Sequence, residues 1–205
     1  MRSEFTTAML AHQDAFGLDL RHEQIERLAN YYEFVQDHNP LLHLVGPSTA
    51  EEFAVRHILE SLTLLAHLPQ GSKFADVGAG AGLPSIPCLL VRDDLKAVLI
   101  ESKEKKAAFL DEALTRLRLG DRTTVINKQY AEAEPGECTL ITCRALDKFT
   151  DKLPHLIRWA RRRTLLLFGG PNLEAQIRGL GYVPEKKLMP GSNQRYLFVI
   201  SSPVG

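Results

Sequence analysis

Along the first 68 residues, apolar positions recur every three or four places, the period of an amphipathic helix, and three helices are predicted there. In the second, over about residues 21–37, Ile25, Leu28, Ala29, Tyr32 and Val35 fall on one face. Asn39-Pro40 is expected to stop it. A loop over 41–49, containing Gly46 and Pro47, leads to Ser48 or Thr49 as the cap of a third helix over roughly 50–65. Pro69-Gln70-Gly71-Ser72 then marks a boundary, dividing the chain into a helical extension, 1–68, and a main domain, 69–205.

From Lys73 the pattern changes to short apolar runs alternating with helical stretches. This predicts an α/β fold, a doubly wound and mostly parallel sheet covered on both faces. Strands are expected at 73–77, 97–100, 123–126, 140–143 and 164–168, with helices over about 84–91, 103–119 and 151–160. Ala107, Leu110, Ala113, Leu114 and Leu117 share one side of the long helix, and Gly120 is its expected end. Two last runs, 186–189 and 196–201, read as a closing antiparallel hairpin joined through Pro190-Gly191-Ser192-Asn193.

The junction of the first strand and its helix carries the candidate chemistry: Asp76-Val77-Gly78-Ala79-Gly80-Ala81-Gly82-Leu83-Pro84. Glycines at alternate positions have no Cβ, so the chain bends sharply and a ligand can lie against its amides. The spacing of 78, 80 and 82 is tighter than the dinucleotide fingerprint requires, which disfavours a nicotinamide oxidoreductase. Glu101 ends the second strand about twenty residues beyond the turn, where a carboxylate takes a ribose diol. A strand-to-helix turn without any ligand is the competing reading, against which Asp76 and Glu101 weigh.

Composition narrows the partners. With 205 residues, 44% hydrophobic and 24% charged, the chain suits one sizeable soluble core with a small appendage, and no membrane partner is expected. The 25 Lys and Arg balance the 25 Asp and Glu, so RNA contact would rest on a local patch rather than a global field. Lys103, Lys105 and Lys106, and Arg158, Arg161, Arg162 and Arg163, are candidate patches that read equally as solvated faces. Cys88, Cys138 and Cys143 are too few for a disulfide framework or a four-cysteine zinc site. The seven histidines show no metal-ligand spacing, and no metal is expected. Without a secretory signal at the N-terminus, a cytoplasmic protein is expected.

Strand, Asp-x-Gly-x-Gly-x-Gly, helix, strand and Glu, in that order, resemble the class I methyltransferases that use S-adenosylmethionine. The resemblance implies a Rossmann-like fold with Asp76, Gly78, Gly80, Gly82 and Leu83 at the cofactor and Glu101 on its ribose. Further runs are Arg56-His57-Ile58-Leu59-Glu60-Ser61-Leu62, Gly82-Leu83-Pro84-Ser85-Ile86-Pro87, Glu101-Ser102 with Lys105 to Leu110, and Cys143-Arg144-Ala145. Together, over roughly 25–200, they are similar to the bacterial small-subunit ribosomal RNA guanine-N7 methyltransferases, the glucose-inhibited division protein B family.

That resemblance implies Ala131 and Glu132 beside the adenine and Arg144 at the reacting centre, as a catalytic, cofactor and substrate residue. Arg56 and His57 become substrate candidates; His57 reads equally as a packed structural histidine, and the competing reading of Arg144 is a surface ion pair with Asp147 or another carboxylate. The implied partner is ribosomal RNA or the small ribosomal subunit, met by a monomer. The chain departs from the usual family pattern at His43, Val45, Tyr130 and Phe168, which bears on substrate recognition more than on the cofactor.

Guanine N7 carries an in-plane lone pair and loses no proton on methylation, so positioning suffices and no general base is needed. Two alternatives stay open: a pyrimidine C5 methyltransferase with Cys143 as nucleophile, and a cofactor-binding module without transfer.

Overall fold

A computed structural model of the chain describes residues 1–144 and 149–201. Ala145 of the Cys143-Arg144-Ala145 run and Asp147, one candidate ion-pair partner of Arg144, lie outside the described residues.

Helices α1, Arg2–His12, and α2, His22–Leu42, open the chain. The third helical unit, α3, spans 50–67: it starts as Ala50–Glu52, widens into a π-helical stretch Phe53–Leu59, returns as Glu60–Leu62 and tightens into the 3-10 turn Thr63–His67. Thr49 rather than Ser48 caps it, its hydroxyl accepting the Glu52 amide while the Glu52 carboxylate accepts the Thr49 amide.

The expected stop at Asn39-Pro40 is corrected, since α2 runs through Pro40 to Leu42. Proline one turn from a helix end forfeits only one backbone bond. The helix finishes instead where His43 turns left-handed, φ +48°, its amide donating to the Asn39 carbonyl, while the Asn39 side chain accepts the Val45 amide at 3.0 Å.

Beyond Ser72 come β1, Lys73–Val77, α4, Ser85–Val91, β2, Lys96–Ile100, α5, Glu104–Arg116, β3, Thr123–Ile126, and β4, Leu140–Arg144. Then follow α6, Phe149–Ala160, β5, Thr164–Gly169, α7, Pro171–Gly179, β6, Glu185–Leu188, and β7, Tyr196–Ile200. Gly120 does not end α5. Arg118 takes the left-handed turn at φ +57°, and the Leu119 amide reaches back to the Leu114 carbonyl at 2.8 Å.

One seven-stranded sheet results, in the order β3-β2-β1-β4-β5-β7-β6. The first five strands are parallel; β7 runs antiparallel beside β5 and β6 antiparallel beside β7, the expected closing hairpin. Alternation along β1 divides the interior in two. Phe74 faces a large apolar cluster shared with α1, α2, α3, α4 and α5, whereas Ala75 and Val77 face a second cluster with Leu153 and Leu156 of α6 and Leu173 and Ile177 of α7.

The helical extension is tied to the sheet by polar bonds as well as apolar area. Gln24 donates to the Val91 carbonyl at the end of α4, and the Tyr31 hydroxyl donates to the Ala81 carbonyl in the glycine turn, each at 2.8 Å. No helix among the described residues is long and apolar enough to cross a membrane.

Candidate functional site

The glycine turn lies at the carboxyl end of β1, where open α/β sheets receive ligands. Gly78, Gly80 and Gly82 all have left-handed backbone, φ +71°, +55° and +89°. Two of them do different work. At Gly80 an added Cβ would meet only the Gly78 carbonyl, at 3.7 Å, so glycine keeps the floor of the cleft bare. At Gly82 an added Cβ would lie 2.4 Å from Ile86 Cδ1, so that glycine lets α4 close against the turn.

Glu101, 6% exposed at the end of β2, holds the turn in place. Its Oε2 accepts the Gly80 amide at 2.9 Å, and its Oε1 accepts the Lys103 amide at 2.8 Å. A carboxylate has about four acceptor positions, so both oxygens retain capacity for a further donor such as a hydroxyl. Asp76 sits behind the turn, fully buried. Its Oδ2 accepts the Ser85 hydroxyl at 2.6 Å, and its Oδ1 has no partner among the described residues. Burial pushes its carboxyl up to about 7, opposed by the Ser85 bonds.

A cleft of about 480 Å³ opens over this floor. Of the residues singled out in the sequence, Gly78, Gly80, Leu83, Glu101, His57 and Arg144 line it. Asp76 and Gly82 stand behind it. Ala131 and Glu132 form an exposed 3-10 turn at its margin, and the wall itself is made by the preceding Lys128, Gln129 and Tyr130. The Arg56 side chain is exposed and outside the wall, yet its carbonyl accepts a bond from Arg144.

Arg144 enters from the carboxyl end of β4 with its side chain 15% exposed. Nη1 donates to Ser61 Oγ at 3.1 Å, Nη2 donates to the Arg56 carbonyl and lies 3.4 Å from Glu60 Oε2, and the guanidinium rests 5.4 Å from the Phe168 ring centre. Among the described residues Arg144 pairs with the carboxylate of Glu60, which the sequence did not single out as a site residue. Glu60 is itself 2% exposed, and its Oε1 accepts Arg195 Nε at 2.7 Å. His57 packs on Phe53, ring centres 5.0 Å apart; burial and the nearby Arg144, Arg56 and Arg195 charges hold its imidazole down to about 4, so it is neutral at pH 7.

Cations gather at the cleft despite the zero net charge: Lys103, Lys106, Lys128 and Lys152 line it with Arg144. Lys106 Nζ donates to the His43 carbonyl at 3.1 Å, which ties the 43–46 loop over the cleft beside Val45. Arg161, Arg162 and Arg163 precede β5 at the amino end of the sheet, away from the cleft, and Arg163 donates to the Cys138 and Gly136 carbonyls. Cys143 is fully buried in the second apolar cluster and is not part of the cleft wall, so a Cys143 attack on a pyrimidine ring has no nucleophile at hand.

Glu60, Ser61, Arg195, Tyr31, Lys128 and Lys152 are the site residues that sequence reasoning missed. Glu60 and Ser61 were visible only as part of the 56–62 run.

A doubly wound sheet in this strand order, with a bare glycine turn after β1 and a carboxylate closing on it from β2, defines a class I methyltransferase. The same architecture is found in magnesium protoporphyrin IX methyltransferase from Synechocystis PCC 6803, solved with bound SAM; the TM-score is 0.60 at 18% identity, covering 84% of this chain and 97% of that one. Residues 24–179 match the family described as rRNA small subunit methyltransferase G (GidB), and the chain belongs to that family. Relatives of that name from Coxiella burnetii and Neisseria meningitidis are each 32% identical, over 81% and 67% of this chain. The alignments span 81% of the Coxiella protein but 66%, just under two thirds, of the Neisseria one.

Proposed function

We propose that this chain transfers the methyl group of S-adenosylmethionine to N7 of a guanine in small-subunit ribosomal RNA. The observation that carries the reading is the Glu101 carboxylate clamped on the Gly80 amide at the floor of a cleft that Arg144 also lines. The residues fit the cofactor: the left-handed backbone of Gly78 and Gly80 in the cleft floor and the Leu83 side chain suit its methionine end, and the remaining lone pairs of Glu101 suit its ribose hydroxyls. Asp76 and Gly82 act from behind by shaping the turn, and Ala131 and Glu132 flank the adenine.

When bound, the sulfonium supplies an already activated methyl group. The chain's own part is to hold the acceptor. Arg144 offers a fixed planar donor to the target base, neutral His57 stands in the same wall, and Arg56 lies at its edge. Lys103, Lys106, Lys128 and Lys152 supply a local field for RNA phosphates, the patch a neutral chain requires. No proton leaves N7, so no base is asked of any of them. In this reading residues 69–205 perform the transfer, 1–68 roof the cleft, and the protein works as a monomer in the cytoplasm on ribosomal RNA or the small subunit.

The test is incubation with methyl-labelled S-adenosylmethionine and ribosomal RNA from cells lacking the modification, followed by mapping of the labelled base. Label on a small-subunit guanine N7 is expected. Cofactor binding without any transfer would favour instead a binding module, for which Tyr130 and Phe168, where the family usually has cations, are the specific support.

A further inference from the structure

We infer that Glu60 is a positioning residue for methyl transfer, holding the Arg144 guanidinium at the cleft through a buried carboxylate shared with Arg195. The inference rests on the reading above. Three acceptors for Arg144 come from a single stretch of α3: the Arg56 carbonyl, the Glu60 carboxylate and the Ser61 hydroxyl. That stretch spans the point where the π-wound segment Phe53–Leu59 returns to α-helix at Glu60. The Glu60 amide bonds back five residues to the Val55 carbonyl, and the wider turn offsets the backbone so that the Arg56 carbonyl accepts from a side chain on β4. The Phe168 ring closes the underside of the same guanidinium.

A carboxylate 2% exposed is an expensive way to stabilise a fold, because desolvation offsets most of the attraction. One arginine would neutralise it. The second, Arg195, comes from the segment leading into β7, so Glu60 joins the helical extension, the end of β4 and the C-terminal hairpin at one point. Among the described residues, the three bonds to α3 leave Arg144 Nε and one Nη1 hydrogen without an acceptor, while the rest of the fork is fixed. A guanidinium held in place by three bonds is a preorganised donor through the hydrogens that remain.

The experiment uses the full chain and the ribosomal RNA assay, with kcat, KM and calorimetric affinity for S-adenosylhomocysteine as readouts. Glu60→Gln should lower kcat about tenfold to a hundredfold, the scale of a misplaced contact, with cofactor affinity within about twofold of wild type. Combined with Arg144→Lys, it should be no slower than Arg144→Lys alone, since both changes disable the same group. A purely structural role would lower thermal stability and leave kcat within about twofold, and losses that multiply in the double variant would equally overturn the inference. Should Glu60→Gln not fold, Ser61→Ala removes the Nη1 acceptor and enters the same cycle with the same expectation. A wild-type protein that transfers no methyl would sink the parent reading, and this inference with it, whereas active wild type with unaffected variants sinks only the role of Glu60.

Discussion

Replacing Gly82 by alanine separates two contributions that the glycine turn combines. The backbone there has φ +89°, a conformation that costs a residue bearing Cβ about 1–3 kcal/mol. The new methyl would also lie 2.4 and 2.7 Å from Ile86 Cδ1 and Cγ1 and 3.3 Å from Leu110 Cδ2. Ile86 and Leu110 are both fully buried, so neither can swing into solvent, and crowding of this kind adds about 1–3 kcal/mol. The sum, about 2–6 kcal/mol, is a large share of the roughly 5–15 kcal/mol that holds a domain folded. For a chain of this size it corresponds to a fall of about 5–20 °C in Tm. Gly80→Ala is the matched control: its methyl meets nothing closer than 3.7 Å, leaving only the left-handed penalty of about 1–2 kcal/mol. Urea denaturation of both variants, alongside calorimetry with S-adenosylhomocysteine, reads the contrast. Gly82→Ala should lose more stability. Equal or reversed stabilities would show that the packing of α4 on the turn is not the constraint described.

Two further outcomes follow from the same region. Gly80→Asp should abolish detectable cofactor binding by calorimetry, because its carboxylate would stand over the cleft floor beside that of Glu101; binding at wild-type affinity would remove the turn from the site. Asp76, raised by burial to about 7 from 3.8, holds in the folded state a proton that the unfolded chain has released over that interval. Its contribution to stability is therefore complete below about pH 4 and is lost as the pH rises through about 7. Relative to Asp76→Asn, the wild-type urea midpoint should fall between pH 4.5 and 7.5, and a difference that stays flat with pH would refute the shift.

What the sequence disclosed was local. The glycine turn, Glu101 and the strand alternation are each written in a few adjacent residues, and their periods and spacings survive folding unchanged. Pro40 and Gly120 misled because a helix end is set by whichever residue finds a left-handed turn with its bonds satisfied, here His43 and Arg118. Helix α7 was not read, having only Leu173 and Ile177 to bury. The Glu60 junction was out of reach for a different reason: its partners lie 84 and 135 residues away along the chain, and only the packed sheet brings them together. Arg161 to Arg163 are the opposite case, sequence neighbours of a strand whose other end carries the cleft.

Tyr130, in the cleft wall, meets the ring of Trp159 edge-on, with centres 5.7 Å apart, and the Trp159 indole nitrogen donates to the Ala133 carbonyl at 2.7 Å. The chain has one tryptophan. A ligand that shifts the Tyr130 ring thus alters the surroundings of the sole indole fluorophore, and occupancy can be followed by intrinsic emission with no dye attached.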